Sequence, residues 1–231
     1  MPSYRRLGEI PPKRHMQFEN QGESFLNEGL FYEHVVTTQG FDRVYSILYH
    51  RRPPTRVVST ETVGKLELNA CADQELRHHH IKSGDLVRGG DPITDRVPMM
   101  FNEDLTAYRV RPDRQQAEIY RNAAADEIIF IHHGQGYIET TYGRLPYRRG
   151  DYCIIPRTCN YRIVSESISQ EDHLIIESNG PVRIPQQYLN QDGQMLLGSP
   201  YSERDFHSPT ELDSKDEEVE TSILIKNGSQ L

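Results

Sequence analysis

Residues 126–162 include the side chains whose types and spacing are best suited to chemistry. Glu127 is followed after six residues by Gly134, and Gly150 is followed after five residues by Pro156. A tight glycine turn between strands, a proline at the rim and inward-facing side chains on adjacent strands form the frame of a metal-binding β-barrel. The spacing therefore predicts a barrel that could hold a metal through a carboxylate and imidazoles.

These four residues resemble parts of the two sequence motifs of the cupin family of small double-stranded β-barrels. The first cupin motif has two histidines, a glutamate and, after six residues, a glycine. The second has a glycine, a proline after five residues, a further glycine and a histidine. Glu127 and Gly134 match the end of the first motif, and Gly150 and Pro156 match the start of the second. The resemblance implies a cupin-like jelly roll.

The histidine positions of both motifs hold residues that are not imidazoles. They are Arg121 and Ala123, or Tyr120 and Asn122 in the alternative spacing, and Tyr161. An oxygenase iron needs imidazoles together with a carboxylate, and only Glu127 remains. We therefore expect no metal and no catalytic residue in this barrel. A buried carboxylate needs a partner, so we expect Glu127 to pair with Arg121 or Tyr161.

His78 and His80 form a weaker alternative metal site. They would share one face if residues 77–82 formed a strand, and two imidazoles on one face can bind a metal. A polar or interface histidine cluster explains them as well, because no Asp or Glu at a suitable strand spacing accompanies them. Both interpretations stay open at this stage.

The rest of the chain predicts the sheets that would position these residues. From Arg56 onward, short runs with period-two alternation are separated by Gly, Pro, Asn and Asp, which is the pattern of a sandwich or barrel. The first of these runs are VVSTETV, KLELN and RHHHIK. We predict an all-β, cupin-like double-stranded β-helix barrel, or jelly roll, in three parts. They are an extended N-terminal arm with short strands (1–55), the degenerate barrel (56–185), and a docking loop, acidic linker and final strand (186–231).

Composition disfavours two classes of partner. The 26 Lys and Arg against 34 Asp and Glu give a formal net charge of -8, and the basic residues are scattered, which argues against nucleic acid. No run approaches the roughly 20 apolar residues that span a bilayer, and the start lacks the apolar core of a signal peptide. The 3 cysteines include no C-x-x-C pair, as expected for free thiols in a reducing compartment. We expect a cytoplasmic protein with no membrane or nucleic-acid partner.

Nearly the whole chain, in order, resembles the amino-terminal part of homogentisate 1,2-dioxygenase. The segments that carry the resemblance are YRRLGEIPPKRHMQF, FYEHVVTTQGFDRVYSILYHRRPPTRV, FNEDLTAYRVRP, YRNAAADEIIFIHHGQGYIETTYGRLPYRRGDYCIIPRTCNYRI and IESNGPVRIPQQYLNQDGQMLLGSPYSERD. The runs GEIPPKRH and LYHRRPPT within them are far more specific than any short motif.

The resemblance implies a two-barrel enzyme that opens the ring of homogentisate with O2 to give maleylacetoacetate, in tyrosine and phenylalanine catabolism. In that family the carboxy-terminal cupin holds Fe(II) through two histidines and a glutamate, and the amino-terminal cupin is degenerate. The present residues would then be structural. They would bind no iron, contact the carboxy-terminal cupin or neighbouring subunits, and help to form a trimer or hexamer. The small aromatic acid would bind to the full protein, and this chain alone would be inactive.

Two further hypotheses come from other classes of protein. One is a self-standing cupin that serves as a noncatalytic binding or assembly module. The other is a divergent cupin enzyme, an oxygenase or isomerase, whose metal is held by His78 and His80. Metal content separates the last hypothesis from the other two.

Overall fold

The computed structural model describes residues 5–8, 10, 31–37, 45–50, 52–71, 77–212 and 219–231. Most of the predicted arm and residues 213–218 of the predicted acidic linker lie outside this part of the chain. Contacts divide the protein into two compact units, Met1–Thr62 with Ile184–Glu203, and Val63–Arg183 with Arg204–Leu231. Within the described ranges there is no α-helix, and no helix that is long and apolar enough to cross a membrane.

The first unit contains a two-stranded antiparallel sheet. Strand β1 (Tyr32–Val36) pairs with strand β2 (Ser46–His50), so that Tyr32 lies opposite His50. Both strands lie within residues 1–55, where the sequence predicts short strands.

The second unit consists of two five-stranded sheets that share one core. The first sheet has the order β12-β5-β10-β7-β8, and the second has the order β3-β4-β11-β6-β9. The strands are β3 (Val97–Phe101), β4 (Leu105–Val110), β5 (Ile119–Asn122), β6 (Asp126–His133), β7 (Gln135–Thr140), β8 (Gly143–Arg148), β9 (Tyr152–Ile155), β10 (Asn160–Ser165), β11 (Asp172–Ser178) and β12 (Ile223–Lys226). Neighbouring strands are antiparallel, apart from β12 with β5. The predicted all-β jelly roll is confirmed.

Period-two alternation explains how the core forms. In β6, Ile129 and Ile131 are fully buried, while Ile128 and Phe130, which alternate with them, point to the opposite face. The other strands repeat this pattern and fill the middle of the barrel with apolar side chains. The fully or almost fully buried aliphatic residues are Val110, Ile129, Ile131, Ile138, Ile163 and Ile175.

Two cysteines help to fill the core. Cys153 and Cys159 are free and buried. Burial raises the pKa of each thiol to about 12, so neither is a thiolate at neutral pH. A buried, protonated thiol is a poor nucleophile.

Three of the predicted strands are wrong. Residues 57–63, 65–69 and 77–82 form no strand, apart from an isolated bridge between Lys65 and Gln230. Val57 and Val58 are each 68% exposed. Alternating β-branched residues favour a strand when one face can be buried, and these runs lack such burial.

Both motif glycines lie between strands, where the spacing predicts glycine turns, and both have a left-handed backbone. Gly134 joins β6 to β7 with φ 114, and Gly150 precedes β9 with φ 94. Thr158 stands where the second cupin motif has its further glycine, and it also has a left-handed φ of 68. This conformation is uncommon for a β-branched residue, and the backbone N–H of Thr158 donates to the Asn122 carbonyl at 2.7 Å.

Candidate functional site

One end of the barrel interior holds a group of polar side chains that we call the internal charge cluster. Its members are Arg96, Glu127, Tyr161, Glu177 and Lys226, all buried. Glu127 and Glu177 come from β6 and β11 in one sheet, and Tyr161 and Lys226 come from β10 and β12 in the other. Both sheets therefore supply charges or hydrogen bonds to one point in the core.

Arg96 enters this cluster from the turn before β3. Asp91 Oδ1 accepts hydrogen bonds from the N–H groups of Ile93 at 2.7 Å and Thr94 at 2.9 Å, which closes a tight turn. The fully buried Pro92 presents its carbonyl oxygen to Arg96 Nε at 3.0 Å. The guanidinium is therefore held at its base as well as at its tip, and the side chain is only 5% exposed.

The tip of Arg96 closes a three-membered network with Glu127 and Tyr161. Nη1 donates to Glu127 Oε1 at 2.7 Å, and Nη2 donates to the Tyr161 hydroxyl at 2.9 Å. The Tyr161 hydroxyl donates in turn to Glu127 Oε2. Both carboxylate oxygens of the fully buried Glu127 are satisfied in this way, as a buried charge requires.

Lys226 neutralises the second carboxylate of the cluster. Its Nζ donates to Glu177 Oε2 and, at 3.2 Å, to the Tyr108 hydroxyl. Tyr108 donates to Glu177 Oε2 at 3.3 Å, and Arg96 Nη1 lies 3.6 Å from Glu177 Oε1. Two carboxylates and two cations therefore share the same buried volume, and their formal charges cancel.

The electrostatics keep the network ionised at Glu127 and neutral at Tyr161. Burial by itself would raise the pKa of Glu127, but the charge of Arg96 and the hydrogen bonds from Tyr161, Arg96 and Asn122 outweigh it and lower this pKa. Burial raises the pKa of Tyr161 well above its ordinary value, and the charge of Glu127 adds to that effect although Arg96 opposes it. Tyr161 therefore remains a proton donor to Glu127 over the physiological range.

These residues do not fit an iron ion. Glu127 is the only carboxylate at a motif position, and both of its oxygens already accept hydrogen bonds from Arg96 and Tyr161. The predicted pairing of Glu127 with Tyr161 is confirmed. The predicted alternative partner Arg121 is wrong, because its Nε donates to Asn160 Oδ1 at 2.6 Å on the outer side of β5.

The remaining motif positions also have structural roles. The Ala123 N–H donates to the backbone carbonyl of Lys226 at 2.8 Å, which helps to hold β12 against β5. Asn122 Nδ2 and the Tyr120 hydroxyl make longer contacts to Glu127 Oε1, at 3.4 and 3.5 Å. The Tyr120 ring lies edge to face against Tyr161, with centroids 5.4 Å apart.

His78 and His80 are not part of the internal charge cluster. Residues 77–82 have no regular secondary structure and both imidazoles are exposed, so the shared strand face on which the metal hypothesis rested is not present. Across the described ranges, no group of three or more His, Cys, Asp or Glu side chains is arranged to hold a metal ion.

A second buried polar group lies where β11 begins. Glu171 accepts hydrogen bonds from Ser165 and, at 3.2 Å, from the Tyr147 hydroxyl, and its Oε2 lies 2.5 Å from His173 Nε2. Ser165 Oγ bonds to Glu171 and not to the imidazole, so this group lacks the serine-to-histidine contact of a nucleophilic site. Its carboxylate packs under Gly134, where an added Cβ would lie 2.2 Å from Glu171 Oε2.

The sequence interpretation missed Arg96, Glu177 and Lys226. Alternation gave a usable signal for two of them: Glu177 shares a strand face with Ile175, and Lys226 shares one with Leu224. A charged side chain on an apolar strand face needs a buried partner. Arg96 gave no such signal, because it lies in a turn 31 residues before Glu127.

The outward face of the sheet that contains β6 carries apolar side chains. We call this the outer apolar face; its exposed members are Met100, Leu105, Tyr152 and Ile154. Tyr152 is 68% exposed and Met100 65% exposed. The Tyr152 ring lies 4.7 Å from the ring of Phe130 on the adjacent strand.

Comparison with known proteins finds a relative that is similar in sequence over almost the whole chain. No protein-family model matches the chain. The chain is 33% identical over 231 residues to a Saccharolobus solfataricus protein described as "Putative dioxygenase", and the match covers 99% of this chain. The chain spans 58% of the length of that relative.

Two solved structures show weaker likeness. KdgF from Halomonas sp. is 18% identical, covering 37% of this chain and 78% of its own, with a TM-score of 0.33. A cupin-2 domain containing protein from Shewanella frigidimarina is 15% identical, covering 37% and 80%, also with a TM-score of 0.33. The chain is thus similar in sequence to the Saccharolobus protein over almost its whole length, and its own two sheets form the jelly roll described above.

Proposed function

We propose that this chain forms the structural, iron-free barrel of a ring-cleaving oxygenase similar to homogentisate 1,2-dioxygenase. The observation that carries the proposal is the closed network in which Arg96, from outside the motifs, binds the carboxylate of Glu127 and the phenol of Tyr161, the residues at two motif positions. The description of the Saccharolobus relative supports the oxygenase part. The sequence resemblance supports homogentisate as substrate, with maleylacetoacetate as product.

The iron of such an oxygenase would be held by residues outside this chain. Within the chain, the role of the barrel is to supply a rigid, charge-neutral core and a surface for assembly. The outer apolar face supports the assembly role, because exposed apolar side chains on one face of a sheet are typical of protein contacts. Its partners would be a carboxy-terminal cupin or neighbouring subunits of a trimer or hexamer.

The test compares this chain with a chimera in which it replaces the matching part of the Saccharolobus relative. Both are supplied with Fe(II), O2 and homogentisate, and O2 uptake, maleylacetoacetate formation and bound iron are measured. We expect no turnover by the chain alone and homogentisate-dependent turnover by the chimera. Glu127→Gln in the chimera should leave the iron bound per folded protein unchanged, because Glu127 is not an iron ligand in this proposal.

The outcomes separate the parts of the proposal. Turnover by the chain alone with about one bound iron would overturn the structural role. A folded chimera that binds iron without acting on homogentisate would overturn the substrate. A chain that forms a defined oligomer while the chimera binds no iron would favour the noncatalytic assembly module.

A further inference from the structure

The Arg96 guanidinium lies where the two sheets of the barrel meet. It contacts Glu127 on β6 through Nη1 and Tyr161 on β10 through Nη2. These are the two motif positions at which the cupin pattern has a glutamate and a histidine. A protein cation therefore binds both side chains that would otherwise face a metal ion.

The guanidinium and a metal ion cannot use Glu127 together. Nη1 lies 2.7 Å from Glu127 Oε1, while a divalent metal binds a carboxylate oxygen at about 2.0–2.2 Å. A metal in that position would lie next to the positive charge of Arg96 in a buried site, where repulsion is screened little.

Arg96 is a fixed occupant of this position. Its Nε donates to the Pro92 carbonyl at 3.0 Å, and its guanidinium lies over the Tyr120 ring with Cζ 5.6 Å from the centroid. The side chain is 5% exposed. Contacts at the base, the face and the tip of the guanidinium therefore hold the side chain in one orientation within the core.

We propose that Arg96 is a built-in replacement for a metal ion, which joins the two sheets and bars divalent cations from the barrel. Removing its side chain leaves Glu127, Glu177 and Tyr161 around the position of the guanidinium, with Lys226 still bonded to Glu177. Glu127 is then a carboxylate without a cation, and this variant site takes up a divalent cation with oxygen ligands. Two carboxylates and a phenol oxygen suit hard ions such as Mn²⁺. The inference is independent of the reaction proposed above, because it concerns metal uptake without substrate.

The experiment compares three untagged 231-residue proteins. They are the wild type, the variant Arg96→Ala, and a matched control that combines Arg96→Ala with Glu127→Gln. Each protein is equilibrated with Mn²⁺ and dialysed, and bound metal and Tm are measured. We expect about one equivalent of Mn²⁺ in Arg96→Ala. Its Tm should rise by about 3–5 °C for each tenfold excess of Mn²⁺ over the Kd. Wild type and the control should show neither effect.

A second variant covers the case in which Arg96→Ala does not fold. Arg96→Met keeps an unbranched stem over the Tyr120 ring while removing the charge, and the same metal uptake is expected. A protein that becomes soluble only when Mn²⁺ is present during refolding would also support the proposal. Two results overturn it: folded Arg96 variants that take up no Mn²⁺, or a wild-type chain that binds about one equivalent that is lost in Glu127→Gln.

Discussion

The hydroxyl of Tyr161 donates a hydrogen bond to Oε2 of Glu127 across the barrel interior, from β10 in one sheet to β6 in the other. Arg96 binds both partners and so converts this contact into a closed network. Each of the three side chains is hydrogen-bonded to the other two. Removing any one of them therefore leaves buried polar groups without a partner, which lowers the free energy of unfolding. The network thus couples the two sheets energetically.

The first prediction concerns Glu127→Gln, which keeps the shape of the side chain and removes its charge. Arg96 would keep its 3.6 Å contact with Glu177, which Lys226 already neutralises, but would lose its direct carboxylate partner. We therefore expect the free energy of unfolding to fall by about 3–5 kcal/mol. Urea denaturation measures this change. The control Glu118→Gln, at an exposed position, should change it by less than about 0.5 kcal/mol. A loss of less than about 1 kcal/mol in Glu127→Gln would show that Arg96 is stabilised by other groups.

The second prediction concerns Lys226→Met, which removes the cation that balances Glu177. Glu177 would keep only the hydrogen bond from Tyr108 and a 3.6 Å contact with Arg96, so we expect β12 to open more readily. Relative to wild type, hydrogen exchange should accelerate more in Ile223–Lys226 than in β6. Lys82→Met, at an exposed position, is the control and should leave exchange in β12 unchanged. Equal acceleration throughout both sheets would contradict a specific role at β12.

The third prediction is a steep loss of stability at alkaline pH that depends on Tyr161. Burial, assisted by Glu127 and opposed by Arg96, raises the pKa of this phenol. The unfolded chain releases the proton near pH 10 while the folded chain retains it. Stability from this group is therefore fully present below about pH 10 and falls by about 1.4 kcal/mol per pH unit above it.

Denaturation curves between pH 9 and 11.5, a range set by the ordinary tyrosine pKa of about 10, test this effect. Tyr161→Phe should be less stable than wild type at neutral pH but should show a slope shallower by about 1.4 kcal/mol per pH unit above pH 10. Tyr152→Phe, whose ring is 68% exposed, should keep the wild-type slope. Parallel slopes for wild type and Tyr161→Phe would mean that Tyr161 does not retain its proton.

The fourth prediction compares alanine at two left-handed glycines. Gly134 has φ 114, and an added Cβ would lie 2.2 Å from Glu171 Oε2; Gly150 has φ 94 and nothing within 4 Å. Gly150→Ala should cost about 1–2 kcal/mol, the penalty of the backbone alone. Gly134→Ala should cost clearly more, because Glu171 is held by Ser165, Tyr147 and His173. Equal Tm losses would show that Glu171 moves aside without cost.

Sequence reasoning reached the barrel, its motif turns and the pair Glu127 and Tyr161 because these follow from alternation and from local spacing. It could not find Arg96, whose contact with Glu127 spans 31 residues and depends on how the turn at Pro92 packs. It also placed a strand over residues 77–82, where alternating side chains have no second layer to cover them. Whether an alternating run forms a strand depends on packing against residues distant in sequence, and the alternation alone does not show whether that packing exists.

The last prediction concerns the outer apolar face, which we expect to form contacts between subunits. Met100 and Tyr152 are its most exposed members, and charges placed there would have to lose water on contact formation. The double variant Met100→Lys and Tyr152→Lys should therefore raise the dissociation constant of the wild-type oligomer at least about tenfold. Analytical ultracentrifugation over a concentration series measures this, with Val87→Lys, at a 93% exposed loop position, as the control. A wild-type chain that is monomeric throughout, or an oligomer unaffected by both lysines, would show that this face is not the contact surface.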